Sequence, residues 1–304
     1  MCILVFSTSS KEYPFILISN RDEFFKRKTQ KATIHSYQNQ RILSPQDLQR
    51  NGTWLAINLD RGKIAVLVNF RERTRILSES INNLSRGILP LEVITSQVNS
   101  KNEFIEQLYL KYNHELTDNN YQSSDELLGN IGGFSLFYGD LIQKKFDIIS
   151  NKNNDDFKII KDYDSIITHG LSNSSFDQPW PKVKSANYLL KELITANESN
   201  LYSKDLFVEK LFDILSTSST LSSESSYPDS YEEIPKNIFV PPLINDENHI
   251  PIQGKYYGTR TQTVILVDNL NRLTYVEKTL HSNDLLFEEP SFEKFELDLN
   301  IITN

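Results

Sequence analysis

An α+β fold follows from three features of the chain. β-Hairpin patterns lie towards both ends, amphipathic helical stretches lie between them, and the alternating strand–helix–strand order that builds a parallel sheet is missing. Cys2-Ile3-Leu4-Val5-Phe6 is apolar on both faces and rich in β-formers, so it reads as a buried strand. Polar residues 7–12 turn the chain, and Phe15-Ile16-Leu17-Ile18 returns as a second strand that runs into Asn20-Arg21-Asp22-Glu23 at its end. Thr53-Trp54-Leu55-Ala56-Ile57 and Ile64-Ala65-Val66-Leu67-Val68 flank the turn-forming Asp60-Arg61-Gly62, a second hairpin. Residues 89–112 carry two helical patterns, the second with Phe104, Leu108 and Tyr112 at four-residue spacing. Strands are expected again at 133–138, 146–149 and 166–169. An amphipathic helix follows with Ala186, Leu189, Leu190, Leu193 and Ile194 on one face, then a second with Phe207, Leu211, Phe212 and Leu215. Residues 216–230 are Ser-rich, with only Leu221 and Tyr227 as apolar content, and read as a mobile surface loop. Two strands, 261–267 and 273–277, close the chain around Asp268-Asn269-Leu270-Asn271.

Composition narrows the class of protein. Hydrophobic residues make up 38%, yet Phe 17 and Tyr 14 supply enough bulk for the core of one domain spanning the 304 residues. A net charge of -8 disfavours nucleic-acid binding, which needs surplus Lys and Arg on one face. No apolar stretch reaches the roughly 20 residues that span a bilayer, and the run Met1 to Phe6 has no basic residues before it, so neither a transmembrane segment nor a secretory signal is expected. A single cysteine makes no internal disulfide and fits a reducing compartment, the cytosol by default.

The polar clusters that could carry chemistry fall at the ends of expected strands, where a rigid sheet can present side chains to a shared cleft. Cys2 is the sharpest. Once Met1 is removed, one residue carries both a thiol and a free α-amine, groups that ordinarily titrate near pH ~8.5 and ~8, so one can act as base for the other. The competing reading is a small hydrophobe in a buried strand. Strand alternation sends Asn20 and Asp22 one way and Arg21 and Glu23 the other. Arg21 near Cys2 favours a thiolate; alternatively Asp22 caps a helix and Arg21 is solvated. Asn69 and Asn173 are candidate oxyanion donors or ordinary turn asparagines. Arg71 and Arg73 extend the cluster at Asn69, and Arg260 could hold a carboxylate or orient the nucleophile, or lie on the surface. His35, His114, His169, His249 and His281 show no metal-ligand spacing, and no serine elbow occurs. No metal and no required cofactor are expected.

Taken together these blocks resemble the NRDE family, the family of transport and Golgi organisation protein two. The resemblance runs through Met1-Cys2, Asn20-Arg21-Asp22-Glu23, Gly52-Thr53-Trp54-Leu55, Val68-Asn69-Phe70-Arg71, Ser85-Arg86-Gly87, Gly133-Phe134, Tyr138-Gly139-Asp140, Gly170-Leu171-Ser172-Asn173, Pro179-Trp180-Pro181-Lys182-Val183 and Gly258-Thr259-Arg260-Thr261-Gln262-Thr263. A more distant similarity reaches N-terminal-nucleophile hydrolases of the bile-salt-hydrolase and acyltransferase branch. Those also begin Met-Cys and carry Arg-Asn-x-Asp after the second strand, an Asn-Phe after a hairpin and a Leu-Thr-Asn further on. Cys2, Asn20 with Asp22, Asn69-Phe70 and Leu171-Ser172-Asn173 fall in matching order, while Ser19 stands where that branch has its arginine. This similarity implies a four-layer αββα sandwich.

The family resemblance implies involvement in Golgi organisation, protein secretion, lipid homeostasis and haem trafficking. It also implies a cytoplasmic protein with a mitochondrial or Golgi-associated pool. Three functions compete on this footing. One is carriage of a small amphipathic ligand, haem or an acyl-lipid, in a hydrolase-like cleft. The second is an amidohydrolase or acyltransferase acting through Cys2, with Asn20, Arg21, Asp22, Asn69, Asn173 and Arg260 around it. The third is a purely structural role in membrane traffic.

Overall fold

Ile3, Leu4, Val5 and Phe6 are apolar on both sides of an extended chain, and the computed structural model buries both sides. It describes residues 2–70, 85–98, 100–112, 124–152, 166–226, 230–245 and 253–299. In chain order the strands begin with β1 (Ile3–Ser7), β2 (Phe15–Phe24), β3 (Thr29–Tyr37), β4 (Gln40–Asp47), β5 (Leu55–Asn58) and β6 (Lys63–Asn69). Helices α1 (Leu89–Thr95), α2 (Lys101–Tyr112) and α3 (Ser124–Asn130) follow, then β7 (Phe134–Asp140), β8 (Lys145–Ser150) and β9 (Thr168–Ser172). Helices α4 (Pro181–Asn200) and α5 (Lys204–Leu215) precede β10 (Leu243–Ile244), β11 (Tyr256–Val267), β12 (Arg272–Thr279) and β13 (Ser291–Asp298).

The fold is mixed α+β, with two antiparallel sheets. The first runs β13-β12-β11-β2-β1-β9, with β10 pairing on β11; the second runs β3-β4-β5-β6-β7-β8 in sequence order. Strand alternation then sorts the side chains. Leu4 and Phe6 of β1, Phe15 and Leu17 of β2, and Val66 and Val68 of β6 share the core between the sheets. Ile3, Val5, Ile16 and Ile18 face the other way, onto Leu190 and Ile194 of α4 and Phe207 and Leu211 of α5. Ala65 and Leu67 of β6 pack instead beneath Leu89 and Val93 of α1 and Phe104 of α2. Each such buried Leu or Ile contributes about 1.5–3 kcal/mol. That explains why these strands read as continuous apolar runs rather than alternating ones. Among the described residues no helix is long and apolar enough to cross a membrane.

Several boundaries differ from those the pattern predicts. β2 does not stop before Asn20-Arg21-Asp22-Glu23 but carries them inside the strand, because β11 pairs with it as far as Phe24. Arg260 likewise lies within β11, at a register shift between Thr259 and Thr261. β9 begins at Thr168 and ends at Ser172, a few residues later than the apolar Ile166-Ile167 suggests. β3 and β4 were not expected, since β3 alternates between half-buried and exposed positions and carries few apolar residues. Arg71, Arg73 and Tyr227 lie outside the described residues.

Candidate functional site

Ile3 of β1 pairs with Asn20 of β2 on one side and with Ser172 of β9 on the other. Continuing that register by one residue places Cys2 opposite Arg21 and opposite Asn173. Residues directly opposite in an antiparallel pair lie about 4.5–5.5 Å apart at Cα and point to the same face. Cys2 therefore stands between a guanidinium and an amide, at the rim of the core between the sheets.

Asn173 holds both sides of this arrangement. The Cys2 main-chain nitrogen donates to Asn173 Oδ1 at 2.8 Å, and Asn173 Nδ2 donates to the Asn69 carbonyl on the second sheet. Its amide donor is thus engaged with backbone, and the Asn69 side chain is exposed. What the two asparagines supply here is a bridge from β9 to β6 that fixes the Cys2 nitrogen. Ser172 Oγ donates to the Cys2 carbonyl at 2.6 Å, and Ser19 Oγ donates to the Ile3 carbonyl at 2.9 Å, so hydroxyls secure the strand on both sides.

Arg21 is 6% exposed, and its guanidinium lies 4.3 Å from the centroid of the Trp54 ring. Nη2 reaches Glu23 at 3.7 Å and Asp47 at 3.6 Å. Asp47 in turn holds Arg27 at 2.6 Å. Burial works against the Glu23 carboxylate, but the charges of Arg21 and Arg27 outweigh it and keep its pKa below the ordinary value. Arg21 Nη1 is buried and has no hydrogen-bond partner among the described residues. Cys2, Trp54 and Phe176 all pack, partly buried, against the core between the sheets.

Asn20 and Asp22 are not part of this face. Alternation turns them towards the helices, and Asn20 Nδ2 donates to the carbonyls of Leu215 and Ile238 at 2.8 and 2.9 Å. Asp22 accepts from Thr259 Oγ1 at 2.7 Å and pairs at 3.4 Å with Lys182, whose side chain is fully buried. Arg260 is also fully enclosed. Its fork is spent on main-chain carbonyls, with Nε on His281 at 3.0 Å, Nη1 on Phe24 and Arg27, and Nη2 on Ser282. Burial, with the Arg21 charge adding to it, brings the Arg260 pKa down to about 10. The structure therefore brings Cys2, Arg21, Asn173 and the Asn69 carbonyl together. It gives Asn20, Asp22 and Arg260 to the packing around them.

Lys182, Trp54 and Asp47 were given no role at the site from sequence, although the first two lie in blocks that carry the family resemblance. A lysine at the start of an otherwise amphipathic helix was the available signal for the first. Trp54 is placed by a close backbone contact: a Cβ on Gly52 would lie 2.6 Å from the Gly87 carbonyl carbon, and Thr53 N donates to the Gly87 carbonyl at 2.8 Å. Arg86 Nη1 adds a bond to the Gly133 carbonyl at 2.8 Å. The glycine-bearing blocks at 52, 87 and 133 are thus joined to one another just before Trp54 in the chain.

Residues 1–282 match the family model described as Transport and Golgi organisation 2. An uncharacterised protein of Saccharomyces cerevisiae is 35% identical, over 93% of this chain and 93% of its own length. The human Transport and Golgi organization protein 2 homolog is 30% identical over 98% of this chain and 99% of its own length. The Transport and Golgi organization protein 2 of Drosophila melanogaster is 24% identical over 93% and 94%.

Proposed function

The chain belongs to the Transport and Golgi organisation 2 family, and from that premise we propose a Golgi-organisation-related protein whose chemistry is acyl hydrolysis or transfer through Cys2. The observation that carries this reading is the placement of Cys2 between Asn173 and Arg21, with Asn173 Oδ1 on the Cys2 nitrogen and a buried Arg21 Nη1 left unpartnered. The helix–sheet–sheet–helix packing fits the four-layer sandwich of N-terminal-nucleophile hydrolases, which supports the same class.

With Met1 removed, the Cys2 nitrogen is an α-amine. Asn173 Oδ1 takes one N–H, which orients the lone pair towards the residue's own thiol. That lone pair accepts the thiol proton as sulfur adds to the carbonyl carbon of an acyl amide or thioester. The carbonyl π electrons move to oxygen, and Arg21 Nη1 is the donor for the oxyanion. Collapse breaks the bond to the leaving group, which takes its proton from the ammonium. Water then attacks the thioester, giving its proton to the amine; the acid departs and the thiolate regains the proton.

A second reading is carriage of an amphipathic ligand, haem or an acyl-lipid, in a cytoplasmic or Golgi-associated pool. Trp54 and Phe176, which pack against the same core as Cys2, favour it, since they supply aromatic surface for such a ligand. One experiment separates the two. Cys2→Ser in a catalyst keeps the fold, loses most turnover, and forms none of the acyl adduct that rapid quenching and mass spectrometry detect on the parent. In a carrier the same change shifts acyl-lipid affinity by less than about 1 kcal/mol, and haem bound through the thiolate is lost. An N-terminus that retains Met1 in the purified protein excludes the free-amine mechanism.

A further inference from the structure

Segment 173–180 leaves the end of β9, crosses without regular structure and enters α4. Both of its ends are tied to Cys2's surroundings. At the first, Asn173 holds the Cys2 nitrogen and the Asn69 carbonyl. Just past the second, Lys182 pairs with Asp22, the residue after Cys2's cross-strand neighbour Arg21. Between the ends, Phe176 packs against the same core as Cys2 and Trp54, and Gln178 N closes a turn on the Ser175 carbonyl at 3.3 Å.

The second anchor is an odd choice for packing alone. Lys182 and Asp22 side chains are both 0% exposed, and the ammonium sits at the second position of α4, where the helix dipole disfavours a cation. Burying two charges is offset only by good geometry and further bonds. Asp22 has such a bond from Thr259 Oγ1, and Thr259 Oγ1 accepts from Val240 N at 2.9 Å. Nothing in α4's apolar face, which packs through Val183, Ala186 and Leu190, requires the pair.

We infer that segment 173–180 is a strap over Cys2, and that the Asp22–Lys182 pair is the latch that sets how often the strap opens. Asp22 thereby controls access to the thiol from the opposite face of the sheet. The inference rests on the site geometry used for the proposed function, but not on turnover.

Because Cys2 is the chain's one cysteine, alkylation by iodoacetamide reports the strap directly. Removing either partner alone strands a buried charge and risks the fold, so the working variant is the neutral pair Asp22→Asn with Lys182→Met. Its alkylation rate is expected to rise by about tenfold or more, as for a local opening made easier, while the unfolding midpoint stays within a few degrees. Leu190→Ala deletes core from the same helix and serves as the control: it lowers the midpoint further and leaves alkylation slow. Asn173→Ala, which cuts the first anchor, is expected to match the double variant. A rate within about twofold of the parent in the double variant overturns the inference, as does equal acceleration by Leu190→Ala. Absence of any acyl adduct on Cys2 would remove the catalytic reading and leave this result untouched.

Discussion

A buried guanidinium needs hydrogen-bond partners more than it needs an anion, and Arg260 shows how carbonyls can serve. Its fork joins the β2–β3 corner to the segment after β12, and a lysine ammonium cannot reproduce that planar set of donors. Arg260→Lys is therefore expected to cost about 2–3 kcal/mol in urea unfolding, while Cys2 alkylation in the folded protein is unchanged. Two other buried groups set a pH dependence with opposing signs. Glu277 accepts from Ala32 N at 3.1 Å and Tyr275 OH at 2.9 Å, yet burial outweighs these bonds and pushes its pKa up from 4.5 to about 7. Between those values the folded state holds a proton that the unfolded state has lost, so stability falls as pH rises through the window. His281 stacks 4.0 Å from Phe25, and burial, with Arg260 adding, brings it down from 6.5 to about 4. There the unfolded state binds the extra proton, so stability is lost as pH falls from 6.5 towards 4. The two slopes oppose each other over the shared range. Glu277→Gln should leave a melting temperature that rises between pH 5 and 6.5, and His281→Phe one that falls, as thermal melts at stepped pH will read.

Elements meet here through a few close contacts, among them Gly52 against Gly87. A methyl on Gly52 would lie 2.6–2.8 Å from Gly87 main-chain atoms, whereas one on Gly87 would keep 3.1–3.4 Å. Gly52→Ala is expected to cost about 1–3 kcal/mol, more than Gly87→Ala, and to loosen Trp54 measurably in its fluorescence. The Ser-rich stretch after α5 has an anchor of a different kind. Asn237 Oδ1 accepts from Ser218 Oγ, Ser219 N and Thr220 N, at 2.9–3.2 Å. Asn237→Ala should expose residues 216–226 to protease well below the unfolding temperature, and unchanged cleavage would show the segment is held elsewhere. Which elements were legible follows from burial. β1, β2, β6 and the α4 face are apolar where they are covered, and periodicity finds them. β3 and β13 alternate between half-buried and exposed positions along a sheet edge, so their sequences, Thr29-Gln30-Lys31 or Glu293-Lys294-Phe295, carry little apolar signal. Site residues followed the same rule. Residue type and spacing pick out Cys2 and Arg21 as candidates, but the Lys182–Asp22 pair is not legible, because only the pairing of β2 beside α4 makes a helix-start lysine meet Asp22.

At the scale of the molecule, strand order and chain order disagree in one sheet and agree in the other. β3 to β8 lie side by side in the order they are synthesised, so each strand pairs with the one made before it, although α1 to α3 come between β6 and β7. β1 has β2 next to it, but its other partner, β9, begins at Thr168, and β2's outer partner, β11, begins at Tyr256. Long loops must close before those pairings return anything, which slows folding. On the ribosome, then, Ile3, Leu4, Val5 and Phe6 must wait with one edge unpaired until β9, from Thr168, has been made. The β3–β8 sheet has all six of its strands by then and can form first. Cys2 and Arg21 can meet once β1 pairs with β2, but the Asn173 amide that holds the Cys2 nitrogen arrives only with β9. A nascent chain stalled before residue 168 should therefore show a protease-resistant second sheet and a Cys2 that alkylates as fast as in denaturant. Such a chain depends on chaperones over that interval, and its aggregation risk in the cell is set by the pace of elongation as much as by the stability of the finished fold.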